Sequence, residues 1–382
     1  VVGTVTDPSG ALVPNAAVGL TSKATGLSRE TTTDEGGRYS ITNVLPGTYD
    51  LKVTASGFRP YAQTDVVVTI NTVTRVDVNL VVGPVAEQIT VEAAAVMLQS
   101  DKSDVRAELT PRAMTNLPLD TYRNYQSLLV TVPGTTPVAL QNDINDTPGR
   151  SLSVNVNGTA RNINSTRVDG ATNVFVWLPH HTLYNPAVDA IETVNISTTS
   201  FDAEQGMAGG AAITVATKSG TNDLHGTASW YHNNQHFNAR PRYFLPSKPV
   251  SIVNFANATV GGPIVKNKLF YFFSFEDGVE RIGVSARNSL PPADVRTGDF
   301  SKYAGFSLFY DPLTGDAAGN NRTPFANNKV PDARITQQFK DIQKLAPLPN
   351  DPGLDVWGLS GNHVVSGMRR FDRKQYDLKV NY

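Results

Sequence analysis

The chain has 382 residues, 40% of them apolar and 18% charged, with a formal net charge of −1. That length calls for two or three cores, because a single core rarely grows past ~250–300 residues. The apolar share is too high for a disordered chain. The near-neutral charge, with no basic run to neutralise a row of phosphates, excludes a nucleic-acid-binding surface. Cysteine is absent, which removes disulfide frameworks, thiolate zinc sites and cysteine nucleophiles.

No stretch approaches the ~20 consecutive apolar residues of a membrane helix. The opening Val1-Val2-Gly3-Thr4-Val5 reads as a strand and not as an export signal, so a mature or trimmed chain is expected. Runs of β-branched residues broken by Gly, Pro, Asn and Asp recur along most of the chain, which makes it mainly β.

Residues 1–83 carry seven short strand-like runs at the spacing of a β-sandwich. They are Val1–Thr6, Ala17–Ser22, Ser28–Thr33, Arg38–Val44, Thr48–Ala55, Asp65–Ile70 and Thr74–Leu80. Turn residues separate them, among them Asp7-Pro8-Ser9-Gly10, Asp34-Glu35-Gly36-Gly37 and Pro46-Gly47. Tyr49, Leu51 and Val53 alternate with polar neighbours, so each such set turns one face to a shared core. The order Gly3-Thr4-Val5-Thr6-Asp7, Asp34 to Tyr39, Leu45-Pro46-Gly47-Thr48-Tyr49 and Gly57-Phe58 resembles the carboxypeptidase-regulatory-like domain. No zinc carboxypeptidase activity follows from it. None of the six histidines has a glutamate three residues on, and His-Glu-x-x-His is missing. A spacer or docking module is the expectation.

Residues 84–100 read as a linker. Within it Glu87-Gln88-Ile89-Thr90-Val91-Glu92-Ala93 has an acidic start and alternating β-branched residues. Such a segment suits a peptide that adds itself to another protein's sheet edge. It resembles the Ton box of TonB-dependent receptors, the peptide pulled by a TonB-type inner-membrane partner. The plainer alternative is a last sandwich strand.

Residues 101–222 contain Asn116-Leu117-Pro118-Leu119, a short helix expected over Tyr122–Val130, and a stop at Val132-Pro133-Gly134. Ser153 to Gly158, Asn164 to Gly170, Ala190 to Ile196 and Gly209 to Asn222 follow in order. Together they resemble the plug domain of TonB-dependent receptors, including the Val168-Asp169-Gly170 turn and the junction Thr217-Lys218-Ser219-Gly220-Thr221-Asn222.

Residues 223–382 read as the start of a membrane β-barrel, whose strands need ~9–11 residues with one apolar face. In Lys374–Tyr382, Tyr376, Leu378, Val380 and Tyr382 alternate with Asp377, Lys379 and Asn381. Leu224–Asn233, Ser251–Gly261 and Leu269–Glu276 are the other expected strands, with a short turn over Gly262–Lys268. Gly261 to Phe272 closely resembles the first barrel hairpin of Oar-like receptors. So do Leu290-Pro291-Pro292, Arg296 to Ser301 and Tyr310 to Gly315, inside a long extracellular loop expected at about 290–370. Ile335–Leu345 is expected to add a helix there. About four strands cannot close a wall in lipid, so a piece of a longer chain is expected.

Other constellations are rejected. His180-His181, the group Asp143, Asn145 and Asp146, and the loosely spaced His225, His232 and His236 meet no full metal-ligand spacing. Neither a Gly-x-Ser-x-Gly elbow nor a Walker A loop is present, and Gly206–Gly210 is no dinucleotide fingerprint. No catalytic residue, cofactor or metal is expected. The resemblance implies a non-enzymatic receptor in the bacterial outer membrane, with its sandwich in the periplasm and its wall against lipid. Its ligand would be a peptide, a protein or a carbohydrate, and Oar-like receptors are associated with moving peptides or proteins across the outer membrane. The rival is a secreted β-rich filament or adhesion subunit that pairs through open strand edges.

Overall fold

The computed structural model describes all residues except 84–88, 93–102, 118, 120–122, 138, 141–151, 176, 178–180, 207 and 240–247. The chain divides into two compact units. One comprises Val1–His232, Val253–Val279 and Asp372–Tyr382; the other comprises Asn233–Ile252 and Glu280–Phe371.

The first unit opens with β1 (Val2–Thr6), β2 (Ala17–Ser22), β3 (Ser28–Thr32), β4 (Arg38–Ser40), β5 (Gly47–Thr54), β6 (Tyr61–Val68), β7 (Val78–Asn79) and β8 (Ile89–Glu92). They form two sheets, ordered β4-β1-β7 and β3-β2-β5-β6-β8. One core joins the sheets, built on Val5, Leu20, Leu51, Val53, Val66 and Leu80. Asp7 and Asp34 close their turns by accepting the backbone N–H of Ser9 at 2.9 Å and of Arg38 at 2.8 Å. The sixth strand starts at Tyr61, earlier than the expected Asp65, and the seventh is two residues long. Runs of β-branched residues mark strand material, but a partner strand decides where pairing starts.

A central body follows, with β9 (Val105–Leu109), α1 (Pro111–Asn116), β10 (Ala139–Leu140), β11 (Leu152–Ser153), β12 (Ser165–Val168), β13 (Ala171–Thr172), β14 (Ile191–Thr199) and β15 (Ala212–Thr217). Its main sheet is ordered β13-β12-β15-β14-β9. Thr110 caps α1 and Pro111 occupies its first turn, where a missing N–H costs nothing. The helix expected at Tyr122–Val130 is a 3₁₀ turn over Tyr125–Thr131, capped by Asn124. Asp169 and Gly170 both have positive φ, at 47° and 86°, which is the geometry of a two-residue hairpin turn between β12 and β13.

Four long strands complete the chain: β16 (His225–Asn234), β17 (Ser251–Val265), β18 (Leu269–Asn288) and β19 (His363–Asn381), in sheet order β16-β17-β18-β19. They run longer than expected. The β17–β18 turn shrinks to three residues around Asn267, whose φ is 60°. Pro263 lies inside β17, in the stretch beyond the start of β16, where its missing N–H breaks no ladder on that side.

In the second unit the segment after β18 holds α2 (Ala293–Arg296) and α3 (Gln337–Leu345) among short turns. Buried Asn328 and Asn362 fix its backbone. Asn328 donates to the Phe300 and Ser307 carbonyls at 2.7 and 3.0 Å, and Asn362 to those of Leu290 and Gly358 at 2.8 and 2.7 Å. Phe300 stacks on Phe309, and Trp357 packs beside Tyr303 and Phe306. The expected loop is therefore ordered by its own polar hubs, and Thr336 caps the helix expected there.

Candidate functional site

In the first unit the last sheet shows two chemically distinct faces. On β18, Phe270, Phe272, Ser274 and Glu276 are buried, while Phe275 on the other face meets Tyr376 of β19 ring to ring at 5.1 Å. On β19, Tyr376, Leu378 and Val380 are 63%, 70% and 54% exposed. Trp230 on β16 is 71% exposed. Large apolar side chains thus stand outward from the sheet on three strands.

The opposite face mixes polar residues with buried Val253, Phe255, Phe270 and Phe272, and it is engaged by the central body. Ser229 of β16 donates to the Asp189 carboxylate at 2.7 Å, and the Arg123 guanidinium lies 5.0 Å over the Tyr231 ring. Arg123 and Asp189 approach to 3.8 Å. From β19, Gln375 donates to the Asn185 carbonyl at 3.2 Å, and Lys379 donates to Asp169 at 3.1 Å and to the Thr217 carbonyl at 3.0 Å. Arg373 pairs with the buried Glu276 across β18 and β19. Phe272 supplies the apolar contact, packed on Ala187 and Ala190. Beside these contacts is a cavity of about 320 Å³ lined by Asp169, Tyr184, Thr217, Asp377 and Lys379 among others. Burial, and then the Asp377 carboxylate, push the Tyr184 hydroxyl well above its ordinary pKa.

Three segments meet at Asn222. Its N–H donates to the Ala24 carbonyl at 2.9 Å, and its amide donates to the Thr25 carbonyl at 2.8 Å and to Asn267 at 2.7 Å. The Asn267 N–H returns a bond to the Asn222 side chain at 2.9 Å. Just before it, Gly220 crosses the sheet so closely that a Cβ would lie 2.2 Å from the Tyr271 carbonyl oxygen. The Thr-Lys-Ser-Gly-Thr-Asn junction therefore needs that glycine. A second joint ties the sandwich to the central body, where Arg106 and Asn195 donate to the carbonyls of Asn71 and Ile70 at 2.9 and 3.3 Å.

Of the candidate peptide, Glu87, Gln88 and Ala93 lie outside the described residues. Ile89–Glu92 form β8, paired parallel with Tyr61–Thr64 of β6. Asp143, Asn145, Asp146 and His180 also fall outside the described residues. His225 contacts the Asp223 carbonyl at 2.9 Å and His232 contacts Asn254 at 2.7 Å. Among the described residues no group of three His, Cys, Asp or Glu side chains converges as a metal site.

Sequence reasoning missed Arg123, Asp189, Glu276 and Arg373. Glu276 carried a usable signal: it falls in phase with Phe272 and Ser274, on the face opposite the outward Phe275. Arg123 and Asp189 carried none, since only the fold brings them together.

Comparison with known proteins agrees with this geometry. Residues 216–382 match the outer membrane beta barrel domain family, and residues 1–81 match the carboxypeptidase regulatory-like domain family. The chain is 26% identical over 298 residues to the TonB-dependent transporter Oar of Myxococcus xanthus, covering 74% of this chain and 27% of that protein. It thus spans about a quarter of that relative's length. Among solved structures, the siderophore receptor PirA of Acinetobacter baumannii is 18% identical at a TM-score of 0.35, over 49% of this chain and 29% of that one. The outer membrane transporter YddB of Escherichia coli is 14% identical at a TM-score of 0.36, over 47% and 26%. Those two likenesses are too loose to bear on function. The chain is a homologue of the TonB-dependent transporter Oar, with a carboxypeptidase regulatory-like domain at residues 1–81 and an outer membrane β-barrel segment at residues 216–382.

Proposed function

We propose that the chain is part of an outer-membrane receptor that binds a ligand and moves it across the outer membrane, with energy delivered through residues 87–93. In this reading residues 101–222 are the plug, β16–β19 begin the wall, and the sandwich hangs in the periplasm. The observation that carries it is the two-faced sheet. Outward Trp230, Tyr376, Leu378 and Val380 suit lipid, whereas inward Ser229, Tyr231, Gln375 and Lys379 hold the central body through polar contacts. A barrel strand with a polar lumen and an apolar exterior has this alternation. No catalytic constellation is part of the reading.

The Ton-box assignment to Glu87–Ala93 draws support from its place between the sandwich and the central body; the pairing of Ile89–Glu92 with β6 is what the alternative of a last sandwich strand expects. An extended peptide gives its main-chain groups to the sheet edge of a TonB-type partner. Deleting residues 87–93 is expected to abolish energised transport and leave ligand capture intact; transport at the wild-type rate would remove the assignment. Cell fractionation tests the location. Recovery in detergent-extracted outer membrane supports the receptor, and recovery as sheared fibres would support a filament subunit instead.

A further inference from the structure

The regulatory-like domain match ends at residue 81, yet its larger sheet continues. After a gap in the described residues, β8 returns and lies along β6 in parallel register, with Tyr61 opposite Ile89, Ala62 opposite Thr90, Gln63 opposite Val91 and Thr64 opposite Glu92. The sandwich therefore has an edge that takes up a strand from outside the domain. Without β8, residues 61–64 would be a bare row of backbone donors and acceptors.

This acceptor has a defined length. Tyr49 faces Val66 but Leu51 faces Gln63, so a bulge falls at Thr64 and Asp65, and Asp65 has a φ of 62°. Lys23 holds Asp65 at 2.7 Å and Asp50 at 3.5 Å, and the Asp65 N–H reaches Asp50 at 3.3 Å. A bulge twists an edge and ends its pairing. The paired register stops at Thr64, where the bulge begins. A four-residue parallel zipper is short enough to open and close, and parallel pairing is slightly the weaker kind.

We propose that residues 61–64 are a strand-acceptor site for an extended peptide, and that Ile89–Glu92 is its ligand in cis. The inference rests on reading residues 87–93 as the energy-coupling peptide, because the four residues held are the middle of that segment. The sandwich then acts as a clasp. The peptide has to leave β6 before a partner can draw it out, and its apparent affinity is reduced by the fraction of time it is held.

These 382 residues contain no cysteine, and with any cysteine elsewhere in the full-length chain first replaced by serine, a cross-link can be read cleanly. Neighbouring strands lie ~4.7–4.9 Å apart, within the ~4.4–6.8 Å between Cα atoms that a disulfide spans. Ala62→Cys with Thr90→Cys, in the full-length membrane-inserted chain, is expected to form a disulfide on oxidation. Binding of the soluble periplasmic domain of a TonB-type protein should then fall at least ~tenfold and recover with dithiothreitol. Each single-cysteine variant should bind that domain equally well oxidised and reduced. Two results would overturn the clasp: a 62–90 disulfide that never forms while both thiols stay reactive, or a locked form that binds as well as the reduced one. The second would mean that the partner adds to the outer edge of β8. Deleting residues 87–93 separates the parent reading, since undiminished binding by that variant removes the energy-coupling role whatever the cross-link shows.

Discussion

In β5 of the sandwich, Leu51 and Val53 are fully buried and Lys52 between them faces water. In β19, Leu378 and Val380 stand exposed, while Asp377 and Lys379 line the side engaged by the central body. Both segments alternate with the same period of two, and they turn it in opposite directions. The sandwich hides its apolar set against a second sheet. The wall strand turns its polar set to the central body and leaves its apolar set exposed. Alternation reports that a strand has two faces, but the identity of the neighbour decides which face is inside.

Arg373→Ala tests the wall side of this contrast most severely. It leaves the Glu276 carboxylate buried without the partner that faces it on β19. A loss of about 3–5 kcal/mol is expected. Denaturant unfolding should show most of that loss regained in the double variant Arg373→Ala/Glu276→Gln. Equal losses in the two would mean that the pair is solvated.

Leu51→Ala and Leu378→Ala form the direct contrast. The first empties a buried site and is expected to cost about 2–5 kcal/mol. The second removes an exposed side chain and should stay within about 0.5 kcal/mol in detergent. Leu378→Arg separates lipid from water: in a bilayer it should cost about 2–4 kcal/mol near mid-depth. If Leu378→Arg were harmless in liposomes, the apolar face would not face lipid.

Gly220→Ala probes the junction between the two kinds of strand. A Cβ there meets the Tyr271 backbone, so a cost of about 1–3 kcal/mol is expected. A thermal melt matching the wild type would mean that the crossing relaxes freely. Lys379→Ala, by contrast, removes a half-exposed ion pair and should cost less than about 1 kcal/mol.

The smallest effect is confined to high pH. Burial, with Asp77 adding to it, holds the Tyr39 hydroxyl above its ordinary value, and that hydroxyl donates to the Val76 carbonyl at 2.7 Å. A pKa raised on folding contributes stability that is present below the unfolded value near ~10 and is lost as pH rises beyond it. Melting temperature should therefore fall above about pH 10, and less steeply in Tyr39→Phe. Identical slopes would show that Tyr39 ionises without unfolding the sandwich.

Much of the local structure was legible before any fold was seen. The turns opened by Asp7, Asp34 and Asp169 are local, because these aspartates bond nearby backbone N–H groups through their short carboxylates or accept the left-handed region, which Gly10, Gly37, Asp169 and Gly170 occupy. The cap at Thr336 and the helix after it are likewise local. The candidate peptide was legible as an extended segment, although its pairing with β6 was not. A strand written in β-branched residues does not name its partner, and the acceptor lies more than twenty positions upstream.

The sequence by itself determined that this is a β-rich protein of several parts, with a regulatory-like sandwich, a glycine-bound junction and strands of period two. Composition, turn chemistry and residue order are one-dimensional facts, and they suffice for that. Only the tertiary structure decided that Arg123 meets Asp189 and Tyr231, that Glu276 is matched by Arg373, and that Ile89–Glu92 rests on the sandwich edge. Those contacts join residues far apart along the chain. Their energies come from burial and charge neutralisation, which exist only once the neighbours are in place.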